Sequence, residues 1–227
     1  MESLRAGISL GADIAEVDVR RGGDGKLVIS HDKRSDYGGC LSLSEVFDVA
    51  AANGRIGINC DLKESDTLED VLALASDKGI GSQLLVLSGN VTPDILRVNP
   101  DFAKRAQIYL NIEQILCELL GESTLNCGTD ADEEDYAWEI VDYQIKDLAN
   151  YLDEIVDICI NLGAEALNLP CVPLTEPYLE RFIELGVPLS VWTINDRQAM
   201  KYLFKTGIKN LTTLRVRTAL EERNNRR

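Results

Sequence analysis

Short apolar runs with β-branched residues alternate along the chain with longer segments whose apolar positions recur every three to four residues. The first pattern marks strands and the second marks helices packed by one face. Residues 2–10 read as a helix, with Leu4 and Ile8 one turn apart and Gly11 in the stop position. Two apolar runs, 13–19 and 26–31, flank a Gly22-Gly-Asp-Gly25 turn. A gap that short permits only an antiparallel return, because a parallel crossover needs a dozen or more residues. The loop 33–40 follows, and Ser42-Leu-Ser-Glu45 has the capping-box pattern that opens a helix to about Ala52.

Beyond this point strand and helix take turns. Strands are predicted at 55–62, 83–87, 106–110, 166–169, 188–194 and 209–212. Helices are predicted at 67–78, after the Thr92-Pro93 cap, from the Asn111 cap to Leu120, over 136–162 with a break near 148–150, at 175–185, at 196–205 and from the last strand to the C-terminus. Gly79, Gly121, Gly186 and Gly207 stand at helix stops, and residues 122–134 read as a polar loop. With 13–19 this makes seven strands for a parallel sheet, plus one hairpin return. The strand-then-helix order and the right-handed crossover rule together indicate α/β, a (β/α)8 TIM-type barrel short of its first strand. One uninterrupted pattern over 227 residues predicts a single domain, 1–227.

Composition narrows the function. A net charge of −15 leaves no basic footprint for a nucleic-acid backbone. No run approaches the length of a membrane span, so no integral membrane segment is expected. The acidic run 130–135 reads as a solvated loop or helix entry. The six cysteines include no Cys-x-x-Cys and read as free thiols in a reducing compartment, the cytoplasm, although an even count also permits disulfides. An anionic substrate would be repelled by this chain unless a local cation reversed the field.

Chemistry concentrates in the hairpin. If the turn centres near Gly23 and Asp24, Glu16 lies roughly across from His31, the chain's single histidine, with Asp18 one step nearer the turn. Glu16 and Asp18 share one strand face by the period of two, and so do Asn59, Asp61 and Lys63 on the strand 55–62, with Cys60 turned away. Paired carboxylates on one face repel unless a cation sits between them, and Mg²⁺ or Ca²⁺ bound by oxygen is the usual answer. From spacing alone, solvated carboxylates at a strand end explain Glu16 and Asp18 equally well, and a lone histidine is more often structural.

Leu10-Gly-Ala-Asp13, Glu16-x-Asp18, Asp24-Gly25 and Val28-Ile-Ser-His-Asp32 resemble the metal-binding segment of the glycerophosphodiester phosphodiesterases. The stretches 58–63, 191–196 and 207–213 are similar to later parts of that family, in order. The resemblance implies Glu16, Asp18 and Asp61 as ligands of a divalent metal, His31 as a general acid or base, Lys63 as the group stabilising the phosphoryl transition state, and Trp192 at the substrate pocket. Ordinary core packing explains Trp192 nearly as well. Asn195 either contacts ligand or caps the helix at Asp196, and the cap is preferred.

Asp61 stands where most members carry Glu, as in the Asp-x-Lys of the related venom-type phospholipases D. Leu214 stands near a position that is often Asp. Members open with a strand ending in His-Arg, then Glu-Asn, and Met1 falls just past that point. The resemblance therefore implies an absent first strand, an open sheet edge favouring a homo-oligomer, and a missing second histidine. The implied activity is metal-dependent hydrolysis of a small-molecule glycerophosphodiester to glycerol 3-phosphate and an alcohol. Two alternatives stay open: a catalytically impaired barrel that binds metal or a phospholipid head group, and a lyase-type phospholipase D acting on lysophospholipid.

Overall fold

The structure is a computed structural model, described here for residues 1–120, 150–171 and 176–225. It divides into two compact units, Met1–Ile108 and Tyr109–Arg227.

The first unit holds α1 (Glu2–Leu10), β1 (Ile14–Arg21), β2 (Leu27–Ile29), α2 (Leu43–Asn53), β3 (Gly57–Leu62), α3 (Leu68–Asp77), β4 (Leu85–Gly89), α4 (Pro93–Val98), α5 (Phe102–Arg105) and the start of β5 (Gln107–Asn111). β2 pairs antiparallel with β1, while β1–β3, β3–β4 and β4–β5 are parallel. Ile58, Cys60 and Leu62 alternate with Asn59 and Asp61, whereas Leu85, Val86 and Leu87 form a continuous apolar run, and all six are all but completely buried. Leu43, Val46, Phe47 and Ala50 form the buried face of α2, which packs on β2 and β3. Burial of this apolar set, at roughly 25 cal/mol per Å², is the main force holding helix to sheet.

Local signals in the sequence operate as expected. Ser42 Oγ accepts from the Glu45 amide at 3.3 Å, the Glu45 carboxylate accepts from the Ser42 amide at 2.9 Å, and Gly54 ends the helix at φ 69°. Thr92 caps α4 with Pro93 at its first turn. One strand is displaced: the fourth begins at Leu85 rather than Gln83 and runs on to Gly89, because Ser82–Leu84 form a 3₁₀ turn.

The second unit contains the rest of β5, then α6 (Ile112–Leu120), α7 (Leu152–Asn161), β6 (Ala166–Pro170), α8 (Glu176–Glu184), β7 (Leu189–Trp192), α9 (Arg197–Thr206), β8 (Asn210–Leu211) and α10 (Val216–Asn224). β5, β6, β7 and β8 are parallel neighbours in that order. Their registers align Asn111 with Asn168, Asn168 with Ser190, and Ser190 with Asn210. This row is hydrogen-bonded sideways: Asn168 Nδ2 donates to Asn111 Oδ1 at 2.8 Å and Asn210 Nδ2 to Ser190 Oγ at 3.0 Å. Asn111, expected as a helix cap, is the last residue of a strand and a member of that row.

The loop 122–134, most of the helix expected over 136–162, and the acidic run lie outside the described residues. Cys40, Cys60, Cys159 and Cys171 are free thiols, whereas Cys117 is disulfide-bonded, which corrects the free-thiol reading there. No helix among the described residues is long and apolar enough to cross a membrane.

Ser42→Ala removes the acceptor that opens α2 and should cost about 1 kcal/mol, read as a lower urea midpoint with unchanged slope.

Candidate active site

β1 and β3 run parallel with Glu16 beside Asn59 and Asp18 beside Asp61. Because side chains alternate, that register puts all four on one face of the sheet. Lys63, just past the end of β3, folds back over them. Its Nζ lies 3.1 Å from Asp18 Oδ1 and 3.0 Å from Asp61 Oδ2, and its side chain is only 12% exposed. One ammonium therefore neutralises part of three carboxylates.

The uncompensated remainder falls on Glu16. Crowding by surrounding protein, then the charges of Asp61 and Asp18, push its carboxyl from 4.5 up to about 7, with Lys63 pulling the other way. Glu16 nevertheless keeps solvent contact across its side chain, which limits how much of this shift becomes a stability effect.

A third strand braces the pair. Ser88 Oγ, on β4, donates to Asp61 Oδ1 at 2.8 Å and lies 3.1 Å from Asn59 Oδ1. Gly89 follows at φ +75°, where a Cβ would stand 2.5 Å from Leu62 O and 2.8 Å from Asp61 Oδ1. Any side chain there would collide with the backbone that carries Asp61. Asn90 completes the brace, donating from Nδ2 to Lys63 O at 2.7 Å. Sequence reasoning ended this strand at Leu87 and so missed Ser88, Gly89 and Asn90; the run Ser-Gly-Asn after an apolar strand was the available signal.

The hairpin register is Val19 with Ile29, Arg20 with Val28 and Arg21 with Leu27, one residue away from the expected one. The last backbone bond of the pair runs from Ser30 N to Asp18 O at 3.0 Å, and the strand itself ends at Ile29, short of His31. His31 lies beyond the strand with its side chain about half exposed, and its Nδ1 is 2.9 Å from Asp32 Oδ1. The structure therefore brings Glu16, Asp18, Asp61 and Lys63 together and sets His31 on the segment leaving the same hairpin.

Trp192 belongs to the second unit, at the end of β7. Its ring nitrogen is buried with no hydrogen-bond partner among the described residues. Asn195 is not the cap of α9: Asp196 caps it, accepting from the Ala199 amide at 2.8 Å. Asn195 Oδ1 instead accepts from Leu214 N at 3.0 Å and Thr213 Oγ1 at 3.1 Å, fastening the loop after β8.

The family model for glycerophosphoryl diester phosphodiesterases matches residues 1–218. The chain belongs to that family. It is accordingly a glycerophosphodiester phosphodiesterase, and its match spans both units. A glycerophosphodiester phosphodiesterase from Parabacteroides distasonis is 16% identical, with a TM-score of 0.66 over 99% of this chain and 89% of that one. A putative one from Galdieria sulphuraria is 13% identical, with a TM-score of 0.65 over 99% and 91%. A phosphodiesterase from Oleispira antarctica, solved with the product sn-glycerol-3-phosphate, is 14% identical, with a TM-score of 0.62 over 97% and 90%. No curated protein matches the chain. These likenesses establish the fold class, the TIM-type α/β barrel of the phosphodiesterases, and among the described residues no strand precedes β1.

The donor set suits a hard divalent cation in kind: three carboxylates, oxygen donors, and negative charge in excess. As placed, no three Asp, Glu, His or Cys side chains among the described residues stand together as a ready cage. Lys63 Nζ lies between Asp18 and Asp61 in their place.

Because Glu16 binds its proton more tightly folded than unfolded, its contribution favours folding at low pH and is lost as pH rises through about 7. Glu16→Gln should therefore raise the metal-free melting temperature at about pH 8 and leave it nearly unchanged at about pH 5. An equal shift at both would show that the carboxylates do not burden one another.

Proposed function

We propose that the enzyme hydrolyses glycerophosphodiesters to glycerol 3-phosphate and an alcohol, with a divalent metal held by Glu16, Asp18 and Asp61. The observation that carries this reading is the three-carboxylate cluster under Lys63 on β1 and β3, in a chain of this family. The metal, Mg²⁺ or Ca²⁺, would neutralise charge on the phosphoryl oxygens. Lys63 is assigned to the same developing charge. With a cation held by Asp18 and Asp61, the Lys63 ammonium would be the donor left to face the phosphoryl group.

His31 is assigned the proton transfers. A hydroxyl next to the ester attacks phosphorus, and the imidazole takes its proton and returns it to the departing alcohol oxygen. The P–O bond to the alcohol breaks as the ring P–O bond forms. Water then opens the cyclic phosphate, giving its proton through the same imidazole to the ring oxygen. Asp32 Oδ1, 2.9 Å from His31 Nδ1, is assigned to orienting the ring. Trp192 is assigned to substrate contact, supported by its buried and unpartnered ring N–H.

A second reading rests on Asp61-x-Lys63: lyase-type phospholipase chemistry on lysophospholipid that stops at the cyclic phosphate. ³¹P NMR of glycerophosphocholine and glycerophosphoethanolamine turnover, with Mg²⁺, with Ca²⁺ and with chelator, separates the two by their final product. His31→Ala should lower kcat roughly 10²- to 10⁴-fold without unfolding the protein. Undiminished turnover would remove His31 from the site. Asp61→Ala should raise the metal concentration for half-maximal activity roughly 10- to 100-fold, and an unchanged requirement would remove Asp61 from the ligand set.

A further inference from the structure

Arg20 is buried, with its side chain only 8% exposed, at the end of β1 two residues beyond Asp18. Burying a guanidinium sacrifices its hydration, which is costly unless its donors are matched. Here they are matched on two sides. Nη1 donates to Glu64 Oε1 at 2.8 Å, and Nε donates to the backbone oxygen of His31 at 3.0 Å. The second oxygen of Glu64 accepts from the Arg21 amide at 3.2 Å, so the carboxylate is itself held from two directions.

The two groups that Arg20 joins are neighbours of the reacting groups. His31 O belongs to the proposed acid/base residue itself, and Glu64 is the residue after Lys63. Each follows the end of a different strand, β2 for His31 and β3 for Lys63, and no register between β2 and β3 ties them together, because β1 lies between. The Arg20 side chain reaches both segments. The planar guanidinium can hold two acceptors at a fixed angle, which a lysine ammonium cannot reproduce.

We propose that Arg20 is a positioning residue, clasping the His31 carbonyl to Glu64 so that the imidazole of His31 is held at a fixed distance from Lys63. This rests on the assignment of His31 above. A group held loosely by about 1 Å loses on the order of 10²-fold in rate while substrate binding is little affected.

The test uses the whole chain, with Arg20→Lys and Glu64→Gln as paired variants. Turnover of glycerophosphocholine is measured beside the NMR spectrum of labelled histidine, which is unambiguous because His31 is the chain's single histidine. In Arg20→Lys, kcat should fall roughly 10- to 100-fold. KM and the metal requirement should stay within roughly twofold, and the imidazole signals should shift or broaden. Glu64→Gln keeps the shape, should act in the same direction but more weakly, and serves alone if Arg20→Lys fails to fold.

Native kcat with native imidazole signals in a folded variant would overturn the clasp. So would a kcat loss with unmoved imidazole signals, since that loss would not pass through His31. Moved signals with native kcat would confirm that Arg20 holds His31, while overturning its catalytic assignment and with it the positioning role.

Discussion

Three carboxylates on one face of a parallel sheet cannot all be charged without something positive among them, and the first unit is built around that constraint. The β1–β3 register makes the crowding unavoidable by setting Asp18 beside Asp61 and Glu16 beside Asn59. Lys63 relieves part of it from the end of β3, and the rest is visible in the tight hold of Glu16 on its proton. A divalent cation would relieve it further, and would release Lys63 from its two carboxylates for work on a phosphate. On the function proposed above, it is this cation that would let a protein of net charge −15 take an anionic ester.

Such a cluster is under strain from repulsion, so its supports matter as much as its members. The Ser88–Gly89–Asn90 run grips β3 from the neighbouring strand by a hydroxyl, a backbone surface bare of any side chain and an amide. Arg20 grips it from the other side through Glu64. None of these residues needs to touch substrate to matter, because each fixes where a carboxylate or the ammonium stands. In the second unit the amide and hydroxyl groups of Asn111, Asn168, Ser190 and Asn210 solve a milder version of the same problem. Polar groups on adjacent strands, those of Asn111, Asn168 and Ser190 buried, satisfy one another across the sheet without adding charge.

Element type and order were legible in the sequence because they depend on local physics. Ser42 with Glu45, Thr92 with Pro93, and glycines after helices act within a few residues of chain, and the period of two assigned Glu16 with Asp18 and Asp61 with Lys63 to common faces. The strand order also followed, since short connections and right-handed crossovers leave few alternatives. What the family resemblance added was the reaction, which no spacing could supply.

Tertiary structure alone decided how those faces meet. The hairpin register differs by one residue from expectation and ends before His31, because a short pairing set by its Gly-rich turn need not extend as far as the apolar pattern suggests. The two-residue displacement of β4 brought in Ser88, and only the folded chain shows that Gly89 must lack a side chain. The choice of Lys63 to bridge Asp18 and Asp61, and of Arg20 to bridge Glu64 and His31, joins residues separated by up to 45 positions. The sequence by itself determined which chemical groups sit on which strand, since alternation is a property of the backbone. Their pairing is a property of register, charge and close packing between strands, and these exist only once the sheet has formed.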